Sequence, residues 1–147
     1  MEFLKWLSIT DRYTKMHLDR QLAPLGLNSS QHMYIMKICK EPGITQDRFV
    51  TLFYIHPSNI TRSLIALEKA GFIKKEPLKK DKRTCCLYPT DKALKANKQI
   101  LYIQKSWYEK LLQDFSLEER ELFFSFLNKA GQKAIYEITQ EIELENE

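Results

Sequence analysis

Three histidines and three cysteines are among the side chains of this 147-residue sequence that could serve as nucleophiles, bases or metal ligands. They are His17, His32, His56, Cys39, Cys85 and Cys86. Their spacing includes no H-E-x-x-H or C-x-x-C arrangement, and no glycine-rich loop could cradle a phosphate. An odd number of cysteines without paired spacing also argues against a disulfide framework and suits a reducing compartment. We therefore predict no enzymatic activity, no metal site and no cofactor.

Residues 56–71 indicate a different chemistry, hydrogen bonding to a polymeric ligand. Pro57 suits the first position of a helix, and Gly71 suits the left-handed residue that ends one. Apolar residues at helical spacing form a narrow buried stripe between them: Ile60, Leu64 and Leu67. The other face carries small and polar side chains: Ser58, Asn59, Thr61 and Arg62. Such side chains can bind base edges or phosphates of DNA, although an ordinary solvated helix face is the alternative interpretation.

A basic hairpin is predicted directly after this helix. Short strands are expected at residues 72–76 and 84–88, joined by a loop over residues 77–83. Residues 74–83 contain six basic and two acidic side chains. Such a wing can grip phosphates and insert an arginine into the minor groove. The predicted contacts are Lys79, Lys80, Lys82 and Arg83.

Three helices are predicted before this motif, over residues 2–21, about 28–40 and about 45–53. Asn28 or Ser29 can cap the second helix, with Gln31 in a capping-box arrangement, and Thr45 can cap the third. Helix, turn, helix and basic hairpin is the order needed to read the DNA major groove. Residues near the predicted helix starts complete the expected DNA-binding set: Ser29, Thr45, Gln46 and Pro57.

Two long helices are predicted after the hairpin. Thr90 is a natural N-cap for the fifth, and Ser116 and Glu119 form a capping box for the sixth. An apolar stripe follows the sixth helix nearly to the C-terminus: Phe123, Leu127, Ala130, Ala134, Ile138 and Ile142. The stripes of the first, fifth and sixth helices exceed what one small lobe could bury, so we predict a homodimer.

The charge is distributed unevenly along the chain. Residues 1–40 hold six Lys or Arg against three Asp or Glu, residues 41–99 twelve against six, and residues 100–147 five against ten. The basic centre predicts contact with a polyanion, and the acidic C-terminal segment indicates that this segment has a separate role. No apolar run approaches a membrane span, and the N-terminus does not resemble a secretory signal. We expect a cytoplasmic protein without a membrane partner.

The combined motifs resemble the MarR family of bacterial transcription regulators over the whole chain. The residues that carry the resemblance lie at 28–31, 57–62, 67–73 and 81–83. The resemblance implies a mainly α, α+β winged helix-turn-helix fold with long N- and C-terminal dimerisation helices. The DNA-binding lobe would span residues 28–90, and residues 1–22 with 91–147 would form the dimerisation region.

Residue roles also follow from the resemblance. It implies that Asp81 braces the wing and that Arg83 enters the minor groove. Pro89 and Ala93 depart from the family pattern, where an aliphatic residue and a glycine are usual, so the geometry between wing and fifth helix is open. Family members commonly bind small aromatic or phenolic acids, and the residues proposed to line such a pocket are Tyr13, His17, His32 and Met36. An ordinary packed or half-buried side chain is the favoured interpretation for each of them.

The sequence therefore predicts a regulator, most often a repressor, that binds a pseudo-palindromic operator in double-stranded DNA as a homodimer. A small-molecule ligand could release it from the operator. One alternative is a winged-helix protein-interaction module without a DNA ligand. Another is a cysteine-based redox-sensing regulator that uses Cys85 and Cys86, which requires a lowered thiol pKa. Cys39 is expected to be a core residue.

Overall fold

A computed structural model describes all residues, 1–147, as six α-helices and three short strands. The helices are α1 (Glu2–Leu22), α2 (His32–Lys40), α3 (Arg48–Phe53), α4 (Pro57–Lys69), α5 (Asp91–Leu111) and α6 (Leu117–Glu145). The strands are β1 (Ile44–Thr45), β2 (Ile73–Pro77) and β3 (Cys85–Pro89). No helix combines the length and the apolar character that crossing a membrane requires.

The chain divides into two compact units, Met1–Ser106 and Trp107–Glu147. The first contains α1 to α4, the strands and most of α5, and the second contains the end of α5 and all of α6. Residues 28–90, the predicted winged lobe, lie in the same unit as α1, which precedes them in the chain, and most of α5, which follows them. Leu22 of α1 and Ile100 of α5 are fully buried in the same core as that lobe.

An aromatic cluster organises the centre of the first unit. The ring of Tyr34 in α2 lies 5.0 Å from that of Phe49 and 5.8 Å from that of Phe53, both in α3. Tyr34 and Phe49 are almost completely buried, at 1% and 0% exposure. Tilted and edge-on ring pairs at these separations contribute beyond simple area burial. The short helix α3 is therefore fixed against α2 chiefly by packing.

The strands form one antiparallel sheet in the order β1-β3-β2. Leu87 of the central strand is opposite Ile44 of β1 and Lys75 of β2. The two long strands lie one residue later than predicted. The third strand, β1, was not predicted from the sequence.

Thr45 therefore does not cap a helix, and that prediction was wrong. It lies in β1 opposite Cys86, while the neighbouring N–H groups of Gly43 and Gln46 donate to the carbonyls of Leu87 and Cys85. Pairing with β3 satisfies this backbone, so α3 starts later, at Arg48.

The start of α2 also differs from the prediction. Asn28 and Gln31 interact as a capping pair would, because the Asn28 N–H donates to Gln31 Oε1 and the Ser30 N–H donates to Asn28 Oδ1. These bonds close a turn over residues 29–31, and the helix itself begins at His32.

The remaining predicted helix ends are confirmed. Gly71 follows α4 with a left-handed φ of 82°, and the Thr90 hydroxyl accepts the Ala93 N–H at the start of α5. Ser116 and Glu119 form the reciprocal capping box of α6. Pro89 ends β3 and Ala93 is completely buried in α5, so both departures from the family pattern fit a regular strand-to-helix junction.

Candidate nucleic-acid interface

Helix α4 is positioned by its ends and by one buried stripe. At its start the His56 side chain caps the helix, with Nδ1 accepting the Ser58 N–H at 3.1 Å. The predicted stripe is buried, since Ile60 is 1% exposed and Leu64 and Leu67 are fully covered. The opposite face must then point to solvent, because side chains three and four residues apart share a face of a helix.

The exposed face of α4 carries the four polar side chains predicted from the sequence. Those of Asn59 and Arg62 form no hydrogen bond or ion pair within the chain. Thr61 is different, because its hydroxyl donates to the Pro57 carbonyl at 3.1 Å and accepts from Gln46 Nε2 at 2.9 Å. Asn59 and Arg62 are consequently the side chains of this face most available to an external ligand.

Gln46 and Thr61 also connect the residues before α3 to the first turns of α4. Both residues were predicted to lie in the interface, but their mutual hydrogen bond was not predicted. Gln46 is half-buried, and the bond fixes its amide beside α4. Glu41 supports the same region by pairing with Lys37 of α2 and, at 2.8 Å, with Arg48 of α3. These cations lower the pKa of the Glu41 carboxyl, led by the hydrogen bond from Lys37.

The tip of the wing is organised by Asp81. Its carboxylate accepts the Arg83 N–H at 3.0 Å and the Thr84 hydroxyl at 3.2 Å, and its carbonyl accepts the Thr84 N–H. The Leu78 N–H closes the loop by donating to the Thr84 carbonyl at 2.8 Å. This arrangement is an Asx turn, in which an aspartate or asparagine side-chain oxygen accepts the backbone N–H two residues ahead. Such a turn stabilises a loop that has no core of its own.

The cations of the wing are exposed and form no ion pair within the chain. They are Lys79, Lys80, Lys82 and Arg83. Asp81 is the single acidic residue among them, and its carboxylate accepts the hydrogen bonds of the turn from Arg83 and Thr84. The wing therefore presents a concentrated positive charge to solvent, as phosphate binding requires.

An open cleft of about 450 Å³ lies between α4 and the wing. Its lining comes from the residues before and in α3, the start of α4 and the base of the wing: Gln46, Asp47, Val50, Pro57, Ile60, Arg83, Thr84 and Cys85. The structure thus brings Gln46, Pro57 and Arg83 together, three residues that were predicted from distant parts of the sequence.

Ser29 is occupied elsewhere. Its backbone N–H donates to Asp19 Oδ1 at 2.7 Å, and its side chain binds the same carboxylate. Both bonds lower the pKa of Asp19, the backbone bond most. Ser29 therefore ties the end of α1 to the start of α2 in this structure.

The four residues proposed for a ligand pocket do not line either of the two described cavities. Tyr13 is 58% exposed, His17 is half-buried, and Met36 packs against the core. His32 is 5% exposed, and its Nδ1 has no hydrogen-bond partner. Burial lowers the pKa of His32, against smaller opposing effects from neighbouring carbonyls and Asp19.

The three cysteines are free thiols. Cys39 packs against the core, and burial raises the pKa of its thiol. Cys86 is buried and Cys85 half-exposed, as alternation along β3 requires. A raised pKa lowers the thiolate fraction, so Cys39 is poorly suited to redox chemistry.

Comparison with known proteins decides the family. A model of the MarR family matches residues 27–85. MarR, as seen in its crystal structure, shares 30% sequence identity with this chain. The two structures superpose with a TM-score of 0.78, and the match covers 92% of each chain. The chain belongs to the MarR family.

Two further relatives extend this result. The HTH-type transcriptional regulator YybA of Bacillus subtilis (strain 168) is 29% identical over 105 residues, 71% of this chain and 70% of that protein. A MarR family transcriptional regulator from Listeria monocytogenes, crystallised with 26mer DNA, is 25% identical with a TM-score of 0.82. That match covers 88% of this chain and 87% of the other. The predicted family, winged-helix fold and regulatory class are confirmed for this MarR-family chain, and its site residues stay predictions.

Proposed function

We propose that this MarR-family chain is a cytoplasmic homodimer that binds a pseudo-palindromic operator and represses transcription by blocking polymerase access. The observation that carries the proposal is the pairing of two surfaces in one lobe. One is the polar face of α4, where Asn59 and Arg62 have no partner within the chain. The other is the wing, whose four cations are exposed and unpaired.

The two surfaces would have separate tasks. Asn59 and Arg62 on α4 enter the major groove and meet base edges, where amide and guanidinium groups can form paired hydrogen bonds. Lys79, Lys80 and Lys82 offer charge to phosphates, which gives affinity without sequence preference. Arg83 lies between these cases, because an arginine in a narrow minor groove responds to A·T-rich shape as well as charge.

The proposed dimer is supported by exposed apolar side chains on the terminal helices. In α1 they include Phe3, Trp6 and Tyr13, in α5 Leu101 and Tyr102, and in α6 Phe123, Phe124, Phe126, Leu127, Ile138 and Ile142. No residue of α6 is buried within the chain. Monomeric proteins rarely expose so much apolar surface, so a second copy is the occupant that best accounts for it.

The test is selection of duplexes from a random pool by the full-length protein, followed by binding measurements with competitor DNA at physiological salt. We expect an enriched pseudo-palindrome bound at nanomolar concentration by a species that sediments as a dimer. A protein that enriches no sequence, or binds only as a folded monomer, would contradict the proposal. If no duplex is enriched and the chain instead captures a specific protein, the alternative of a protein-interaction module is favoured.

A further inference from the structure

The C-terminal end of α4 is held by the N-terminal end of α5. Gly71 and Phe72 close α4, because their N–H groups donate to the carbonyls of Glu68 and Leu67 at 3.0 Å each. The carbonyls of residues 70–72 lie directly after the last turn of α4. All three are bound by residues at the junction of β3 and α5.

Thr90 binds two of these carbonyls. Its hydroxyl donates to the Gly71 carbonyl at 2.6 Å, and its backbone N–H donates to the Phe72 carbonyl at 3.0 Å. The same hydroxyl accepts the Ala93 N–H and so caps α5. One side chain therefore joins the end of α4 to the start of α5.

Lys92 binds the third. Its ammonium group donates to the Ala70 carbonyl at 2.6 Å and lies 4.4 Å from the centre of the Phe72 ring. The ring is buried, at 1% exposure, while Lys92 itself is exposed. A cation at a helix C-terminus is favoured by the partial negative charge there, and a cation over a ring face adds to that attraction.

We propose that Lys92 is a positioning residue that fixes the direction of α4 relative to α5 and thereby sets the half-site spacing that the dimer accepts. The inference rests on the proposed function, because it takes α4 as the reading helix of a dimer. Two reading helices must meet successive major grooves about 34–36 Å apart. The shared core already joins α4 to α5 through buried side chains. The polar contacts at the end of α4 narrow the range of helix directions that remains, and with it the range of spacings.

Lys92 is suited to a test because its side chain is exposed, although its ammonium group covers the buried ring of Phe72. Lys92→Met removes the hydrogen bond and the charge, and Lys92→Arg keeps a cationic donor. Lys95→Met is the matched control, since Lys95 is an exposed lysine one turn on in α5 that forms no bond within the chain. Affinity is measured on the selected operator, on the same operator with one base pair inserted at its centre, and on a single half-site.

We expect Lys92→Met to bind the selected operator about three- to tenfold more weakly than wild type, the range that corresponds to the net contribution of one ordinary intramolecular hydrogen bond. The loss of affinity caused by the inserted base pair, here called the spacing penalty, should be smaller in Lys92→Met than in wild type. The variant should tolerate both the selected spacing and the longer one. Binding to the single half-site should change no more than in Lys95→Met. Lys92→Arg should restore the spacing penalty. Each penalty is a ratio within one protein preparation, so a reduced folded fraction cancels.

An unchanged spacing penalty in Lys92→Met would overturn the inference, whether or not its melting temperature falls. Equal losses on the operator and the half-site would also overturn it, because they would identify Lys92 as a simple phosphate contact. If wild-type protein fails to distinguish selected from shuffled DNA, the proposed function itself is wrong. That result is distinct from a failure of the spacing prediction alone.

Discussion

Among single residues, Asn59 and Arg62 differ from the wing lysines in what they can offer to DNA. We predict that Asn59→Ala or Arg62→Ala costs about 1–3 kcal/mol on the selected operator and relaxes sequence preference at a few positions, as loss of a base contact does. Lys80→Ala should instead weaken selected and shuffled duplexes alike, because a phosphate contact is independent of sequence. The measurement is the affinity of each variant for both duplexes.

Lys69→Ala is the control for charge, since Lys69 is an exposed cation in the last turn of the same helix. It should leave the ratio of selected to shuffled affinity unchanged. If Asn59→Ala and Arg62→Ala also leave that ratio unchanged, α4 is not the reading element, even though the family assignment stands.

His32 makes stability depend on pH. Its pKa is lowered in the folded protein from an ordinary value of 6.5, mainly by burial. As the pH falls below 6.5, the unfolded imidazole therefore binds a proton that the folded one does not, and stability is lost. We predict that the melting temperature falls less between pH 7 and pH 5 in His32→Gln than in wild type.

Asp19→Asn provides the opposing variant for that measurement. The Asp19 carboxylate raises the pKa of His32, so removing that carboxylate should lower the pKa of His32 further. The loss of stability should then continue to lower pH. Parallel melting curves for wild type and His32→Gln across this pH range would refute the assignment to His32.

At the scale of elements, the order of the wing is predicted to depend on the Asp81 carboxylate. Asp81→Ala removes two hydrogen bonds of the turn, so affinity for all duplexes should fall about three- to tenfold. Removing a negative charge would by itself have the opposite effect on DNA affinity. Glu76→Ala removes an equal charge from β2 without touching the turn, and should bind equally well or better. Stronger binding by Asp81→Ala would show that the brace is unimportant.

Elements whose boundaries depend on neighbouring residues could be predicted from the sequence. Pro57 and Gly71 mark α4, and Thr90 and Ser116 mark the starts of α5 and α6, because caps act within four residues. Strand β1 has no such signal. Its Ile44 and Thr45 are defined by pairing with a strand about forty residues away, and two residues are too few for a periodic pattern.

The candidate site shows the same division. The exposed face of α4 and the basic wing followed from helical period and local charge. The bond between Gln46 and Thr61, the role of Ser29 at Asp19 and the contact of Lys92 with Ala70 did not. Each joins residues at least ten positions apart, so the partners are determined by the fold.

For the whole molecule, the exposed stripe of α6 is predicted to be the dimer surface. Leu127 is 51% exposed in the single chain, so Leu127→Glu should preserve helix content while weakening association. Loss of one buried leucine costs roughly 1.5–3 kcal/mol, and two-fold symmetry applies it twice. Sedimentation should show monomer or aggregate. Asn128→Glu adds the same charge at the next exposed position and should stay dimeric; a dimeric Leu127→Glu would exclude this surface.

The charge distribution of the whole molecule gives the most direct test of a basic, DNA-gripping lobe. The measurement is affinity of the full-length protein for selected and shuffled duplexes between 50 and 200 mM salt. A dimer that neutralises on the order of six phosphates should lose roughly a thousandfold in affinity over this range, because bound counterions are released. The selected duplex should bind more tightly throughout. Affinity that is insensitive to salt, or equal for both duplexes, would contradict the account.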